Sequence, residues 1–412
     1  MKLTFMRNKE IKSLFFVMTY RYSYALINAI FFVLVTRFLD LNDVGVLTYS
    51  QALVAIFSVF ALQSFSPRVI AQYQIKKDRE ILWDFFMARL LMATMMSLAI
   101  FLILYIKFSF IVALIASSLI IFLTYDSLYI YFDSRGEQYN YARTLLPLIL
   151  FTTAMKILIL LKFKSLNLVL LSMAVELFAM LFMMLIILKL HAGPIIISII
   201  RGCHFIRENI KEAFPIILSG LIFVFFTKSD IFILEKIEGT EAVAQLASAT
   251  RIFEGLALST SVLINVFYSK LSCSYTSKID YKKEKKKFYI KNITISTLIS
   301  VLMFVFSDVI SEMLYSNEYT DTAILLKIYA FVLIGYSIAL AIGRVFILEG
   351  RIKALLYRNV CALLINISLC IYLITTHGVI GAGYAVAISW FASTAIMVFL
   401  EVFKNNGKSI NI

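Results

Sequence analysis

The sequence predicts an all-α integral membrane protein, with about twelve transmembrane helices in two six-helix bundles related by pseudo-two-fold symmetry. Three observations predict it. Of the 412 residues, 61% are hydrophobic and 16% charged, against roughly 45–50% and about 25% in soluble domains. The charges arrive in clusters, and the apolar stretches between them can each cross a hydrocarbon core of about 30 Å. The polar motif that opens the second stretch returns, weakened, at the opening of the eighth. Mean hydropathy is +0.89.

The expected spans are 13–38, 44–66, 81–106, 108–132, 141–161, 166–190, 212–234, 241–267, 288–312, 321–348, 354–375 and 379–402. The first is too long for a signal peptide and lacks a small-residue cleavage pattern, so it reads as a helix. The second starts polar, and the fifth is short and carries Pro147. Between the sixth and seventh lies "HAGPIIISIIRGCHFIRENIK" (191–211), where Arg201, Arg207 and Lys211 punctuate an apolar segment. That pattern fits an amphipathic helix at the cytoplasmic interface. It makes 191–211 a linker between an N-terminal lobe, 1–190, and a C-terminal lobe, 212–412. No connection is large enough to fold as a soluble domain.

Net charge is +14, and its distribution argues against a nucleic-acid partner. Most Lys and Arg fall in loops on the side of the N-terminus, which places both termini in the cytoplasm. The run "YKKEKKKFY" (281–289) anchors that topology. Cys203, Cys273, Cys361 and Cys370 lack metal-ligand spacing and read as reduced. The three histidines, His191, His204 and His377, lie in loops or at span ends. Neither a metal site nor a cofactor is expected.

The two halves echo each other. "LNDVGVLTYSQALVAIF" (41–57) follows span one, and "GTEAVAQLASATRIF" (239–253) follows span seven. Each opens a helix with a polar turn, an acidic residue and a valine, then Gly45 in one copy and Ala244 in the other. Paired six-helix repeats are a transporter architecture. The segment "KSDIFILEKIEGTEAVAQLASATRIFEGLAL", with "LNDVGVLTYSQALV" and "QSFSPRVIAQY" in the first half, resembles polysaccharide-type lipid-linked oligosaccharide flippases. That family belongs to the multidrug/oligosaccharidyl-lipid/polysaccharide exporter superfamily. Ala244 and Leu246 stand where the family usually has glycine and tyrosine, while Gly45 keeps the pattern.

The resemblance implies a protein of the bacterial inner membrane that carries an undecaprenyl-diphosphate-linked oligosaccharide, such as an O-antigen unit, from the cytoplasmic to the periplasmic leaflet. Its lobes would alternate access to a cationic central cavity. A polysaccharide polymerase, a chain-length regulator and membrane lipids are the implied partners. The alternative within the superfamily is a drug/cation antiporter. An enzyme is disfavoured, because no outer loop is long and no His-plus-carboxylate pattern suits acyl transfer.

Charges inside the spans point to the site, since each costs about 2.5–3.5 kcal/mol at a helix centre and normally faces a partner or a cavity. Seven are basic (Arg21, Arg89, Lys156, Lys228, Arg251, Lys327, Arg344) and five acidic (Asp84, Asp126, Glu176, Asp230, Glu254). Lys156 and Glu176 are expected to neutralise each other, Arg251 and Glu254 to pair at i,i+3, and Arg89 and Lys327 to snorkel. Lys228 and Asp230 sit about 200° apart on their helix, so they cannot satisfy each other. The lysine is expected to meet phosphate, and the aspartate a basic residue of another helix. Arg21, Lys228, Asp230, Arg251 and Arg344 form the expected substrate site. Asp126 and Glu254, and with them Asp230, are the candidates for Na+ or H+ coupling.

Overall fold

The computed structural model describes residues 23–76, 79–135, 138–188, 195–277 and 280–405. These residues form helices and connecting turns. Ten helices are long and apolar enough to cross a membrane, and a shorter apolar helix, α1, covers Ser23–Phe38. The protein is a multi-pass, all-helical integral membrane protein. Two compact units divide it. The first holds the described residues of Met1–Leu39 and Ser50–Val224, the second those of Asp40–Tyr49 and Phe225–Ile412.

In the first unit, α2 (Leu41–Phe60) ends earlier than the expected span 44–66. Leu62 turns left-handed, at φ 62°, and the chain restarts as the amphipathic α3 (Ser66–Lys76). Then come α4 (Arg79–Lys107), α5 (Phe110–Phe122), α6 (Tyr129–Arg135), α7 (Gln138–Phe163) and α8 (Leu166–Leu188). The stop of α2 orphans terminal carbonyls, and the one at Ala61 accepts a hydrogen bond from Arg89 Nε at 3.1 Å.

Arg89 therefore does not snorkel. It is 1% exposed and ion-paired to Asp126, which sits on the 3-10 turn Leu123–Ser127 that interrupts the fourth span. An arginine facing both an orphan carbonyl and a carboxylate gains more inside than at the interface. Lys156 and Glu176 pair as expected, at 2.5 Å and with both side chains buried. The ammonium also lies 4.7 Å from the Phe31 ring centre. Around these charges the core is apolar: Tyr141, Leu145 and Ile149, one turn apart on α7, meet Met180 and Met184 of α8.

Helix α9 runs unbroken from Ile195 to Glu238, with Pro215 inside it. Its 44 residues reach about 66 Å at 1.5 Å per residue, well beyond one hydrocarbon thickness. The part before Phe225 belongs to the first unit. There Arg201 binds Asp84 at 2.7 Å and Glu80 at 2.8 Å, and Phe205 packs on Phe65 and Phe85.

The second unit begins with 40–49, at the start of α2. The Thr240 hydroxyl bonds Asn42, and Tyr49 meets the Phe232 ring edge-on at 5.2 Å. A Cβ at Gly45 would strike the Thr240 carbonyl. The repeated helix-opening motifs thus touch each other, and glycine in the first copy is what allows it. Helices α10 (Thr240–Ser277), α11 (Tyr281–Val305), α12 (Ser307–Leu314), α13 (Thr322–Leu348) and α14 (Ile352–Asn405) follow. Helix α13 packs on α10, α11, α12 and α14, and it is correspondingly buried along most of its length. The two last expected spans lie on α14, parted at Gly378 (φ 58°, ψ −137°).

Charges also tie the ends of α11, α13 and α14. Lys285 holds Glu349 at 2.9 Å and also pairs with Glu401, while Arg351 binds Glu401 at 3.0 Å and the Leu400 carbonyl at 2.6 Å. Lys327 pairs with Asp308 at 2.9 Å instead of only snorkelling. All four cysteines are free.

Candidate functional site

A cavity of about 400 Å³ lies within the second unit, a size typical of small-molecule sites. Helical spacing builds it. Phe226 and Asp230 are one turn apart on α9, Thr250, Phe253, Glu254 and Ala257 share a face of α10, and Tyr329 and Tyr336 lie two turns apart on α13. From α14 come Asn366, before Gly378, and Val386 and Trp390, after it.

Five rings form the walls. Trp390 packs against Phe226 at 4.9 Å and Tyr336 at 5.2 Å. Phe253 packs against Tyr329 at 5.3 Å and Tyr336 at 5.9 Å. Among them sit Lys228, Asp230 and Glu254, with Arg251 at the border. Lys228 Nζ lies 2.8 Å from Glu254 Oε1, and Arg251 Nη1 lies 3.3 Å from the other carboxylate oxygen. Glu254 thus bridges two cations. Asp230 is 4% exposed, and its Oδ1 has no hydrogen-bond partner among the described residues; the same holds for the buried Tyr329 hydroxyl. An unpartnered buried polar atom costs about 1–3 kcal/mol, and both residues belong to the cavity wall.

Asn366 fixes the arrangement. Its amide donates to the Phe226 carbonyl at 2.9 Å and to Ser229 Oγ at 3.2 Å. The side-chain oxygen accepts from Cys370 at 3.3 Å and Ser389 at 3.4 Å. One polar side chain thereby holds α9 and both halves of α14 in register.

Of the site residues expected from sequence, Lys228, Asp230 and Glu254 line this cavity, and Arg251 borders it through Glu254. Arg344 lies on α13 beyond Tyr336; its Nε is buried without a partner among the described residues. Arg21 lies outside the described residues. Asp126 is in the first unit, held by Arg89 and by Gln63 at 3.4 Å. Two details differ from expectation. Lys228 already faces a carboxylate, and Asp230 forms no ion pair with a described residue. Sequence reading passed over the rings and Asn366. An asparagine inside "ALLINISLC" was the available signal, because amides are rare in a lipid-facing helix.

The family model described as polysaccharide biosynthesis protein matches residues 11–270, more than half of the sequence. The chain belongs to that family. A MatE model matches residues 215–372. Members of the polysaccharide biosynthesis family are transporters, and this protein is a transporter and not an enzyme. No curated protein matches the sequence. Among solved structures, Lipid II flippase MurJ in an inward closed conformation is similar at a TM-score of 0.76 and 16% identity, over 93% of this chain and 87% of that one. An inward-facing multidrug resistance MATE family transporter of the MOP superfamily gives 0.70 and 13%, over 93% and 95%. The eukaryotic MATE transporter AtDTX14 gives 0.63 and 14%, over 96% of both. At these identities the likeness is one of fold, and the polysaccharide biosynthesis family shares it.

Proposed function

We propose that this transporter is a flippase for a polyprenyl-diphosphate-linked oligosaccharide, an O-antigen or similar surface-polysaccharide unit carried on undecaprenyl diphosphate. It works in the bacterial cytoplasmic membrane and moves the unit to the periplasmic leaflet. About twelve spans follow if the ten long helices are joined by α1 and α14 is divided at Gly378. Both termini are then cytoplasmic, and the halves 1–190 and 212–412, linked by 191–211, alternate access by pseudo-two-fold motion.

The observation that carries the reading is the cavity. Within a unit that crosses the membrane, a polysaccharide-biosynthesis transporter keeps five aromatic rings around a Lys228–Glu254 pair and two unsatisfied oxygens. A glycan is rich in hydroxyls and cannot cross hydrocarbon unaided, whereas the polyprenyl tail can remain in lipid. Inside-negative voltage favours outward movement of the anionic diphosphate by about 2.3 kcal/mol per charge per 100 mV. Arg21, Lys228, Asp230, Arg251 and Arg344 are the proposed substrate-contacting set. A polymerase and a chain-length regulator act on the product.

A second element of this reading is ion coupling. Asp126 and Glu254 are each held by basic side chains, so Asp230, with its unpartnered Oδ1, suits Na+ or H+ better than either. The test uses cells that synthesise the glycan but lack the transporter. The wild-type chain is expected to restore surface polysaccharide and clear lipid-linked intermediate from the cytoplasmic leaflet. If intermediate persists at normal expression and the cells instead gain resistance to cationic drugs, the protein is a drug/cation antiporter.

A further inference from the structure

We infer that the ring-lined cavity takes an uncharged saccharide ring, and that the diphosphate is met by Arg344 on α13 and not by Lys228. The inference rests on the flippase reading and divides the substrate between two positions in the second unit.

Charge balance carries the first half. Lys228 and Arg251 stand against Glu254 and Asp230, so the four groups around the cavity sum to zero. Glu254 already holds both cations, at 2.8 and 3.3 Å. A diphosphate entering here would compete with Glu254 for Lys228 and face Asp230 without a counter-charge. Separating a desolvated pair leaves a carboxylate unpaired, which is unfavourable. A quaternary cation is matched no better, because the Lys228 ammonium lies on the wall.

A neutral pyranose suits the same wall. Its C–H faces pack on rings, here Trp390, Tyr336 and Phe253, while its hydroxyls need partners at the edge. Those partners are present: Asp230 Oδ1 and the Tyr329 hydroxyl are buried, unbonded and on the cavity lining. A sugar hydroxyl donates to the carboxylate and another accepts from the phenol, so both deficits vanish on binding.

Arg344 meets the remaining need. It forms no ion pair with a described residue, and its Nε is buried without a bond. It lies two turns beyond Tyr336, about 12 Å along the helix axis at 1.5 Å per residue. A guanidinium whose Nε–H has no partner offers paired donors to phosphate oxygens. Glycan in the cavity and diphosphate at Arg344 place the charged group apart from the sugar, as in the covalent order of the substrate.

The sequence holds two tryptophans, so Trp83→Phe leaves Trp390 as the sole reporter. The variant is placed in nanodiscs and titrated separately with methyl glycosides of common hexoses and N-acetylhexosamines, with inorganic pyrophosphate and with tetramethylammonium. The expected result is a saturable change in Trp390 emission with a glycoside. Tyr336→Leu should weaken it about tenfold, and Arg344→Gln should leave it within a factor of about two. A saturable response to pyrophosphate or tetramethylammonium but to no glycoside overturns the assignment, as does silence to every probe. If the wild type still clears intermediate in cells, that failure leaves the flippase reading standing. If it does not, the flippase reading itself falls.

Discussion

At the scale of single residues, the membrane interior decides which charges are tolerable. Lys156 and Glu176 are 2.5 Å apart and almost fully buried, so each is the other's only close counter-charge among the described residues. Breaking such a pair strands a charge and costs about 3–5 kcal/mol, whereas replacing both partners by apolar residues is often neutral or stabilising. Lys156→Met alone should therefore lower thermal stability in nanodiscs sharply, and Lys156→Met with Glu176→Leu should recover it to within about 1 kcal/mol. A double variant as unstable as the single one would show that the pair does more than neutralise. This pair was legible in the sequence, since two lone charges at matching depth on neighbouring antiparallel helices have few other solutions. The partner of Arg89 was not legible in the same way. Besides Asp126, its acceptor is the carbonyl of Ala61, which is free because α2 stops at a left-handed Leu62, and no side-chain pattern announces a backbone acceptor. The Lys228–Glu254 contact was likewise hidden, because it joins α9 and α10 in a register that only packing sets.

At the scale of elements, hydrophobic length predicted most spans well, and the misplaced ends have local causes. Apolar content does not distinguish a helix that crosses from one that crosses and continues, so 191–211 and 212–234 were separated where the structure has one helix, α9. Conversely, α14 carries two expected spans, 354–375 and 379–402, which part at Gly378, whose φ of 58° with ψ of −137° belongs almost only to glycine. Gly378→Ala should cost about 1–3 kcal/mol. Gly255, inside α10, has open space where a Cβ would go. Gly255→Ala should instead stabilise by about 0.5–1 kcal/mol. Thermal melts of the two variants in the same nanodiscs make the comparison, and equal shifts would mean that the Gly378 turn is not a fixed feature of the helix. The cavity belongs to this scale too. Tyr329 and Tyr336 recur two turns apart on α13, while Phe226, Phe253 and Trp390 come singly from α9, α10 and α14; such spacing marks ordinary buried faces, and only the meeting of five helix segments makes them a site.

At the scale of the whole molecule, orientation sets the direction of transport, and it follows from loop charge rather than from any packed residue. In the proposed topology the exposed Lys282, Lys283, Lys286 and Lys287 at the start of α11 hold that end at the cytoplasmic surface, where anionic lipid adds about 1 kcal/mol per basic residue. The same topology puts the exposed Cys203 and Cys273 on that side and the exposed Asn317, between α12 and α13, on the opposite one. A membrane-impermeant maleimide should therefore label Cys203 and Cys273 in inverted membrane vesicles and spare them in intact spheroplasts. A cysteine-free background carrying Asn317→Cys should show the reverse. If Asn317→Cys reacts only in inverted vesicles, the chain is inserted the other way round, the lysine face looks outward, and a flippase of this orientation would carry its substrate inward. A label at the expected positions fixes the cytoplasmic end of α13. Arg344 then lies nearer that end than Tyr336 does. The diphosphate would sit on the side from which the lipid-linked unit is loaded, with the glycan reaching ahead of it toward the outer leaflet.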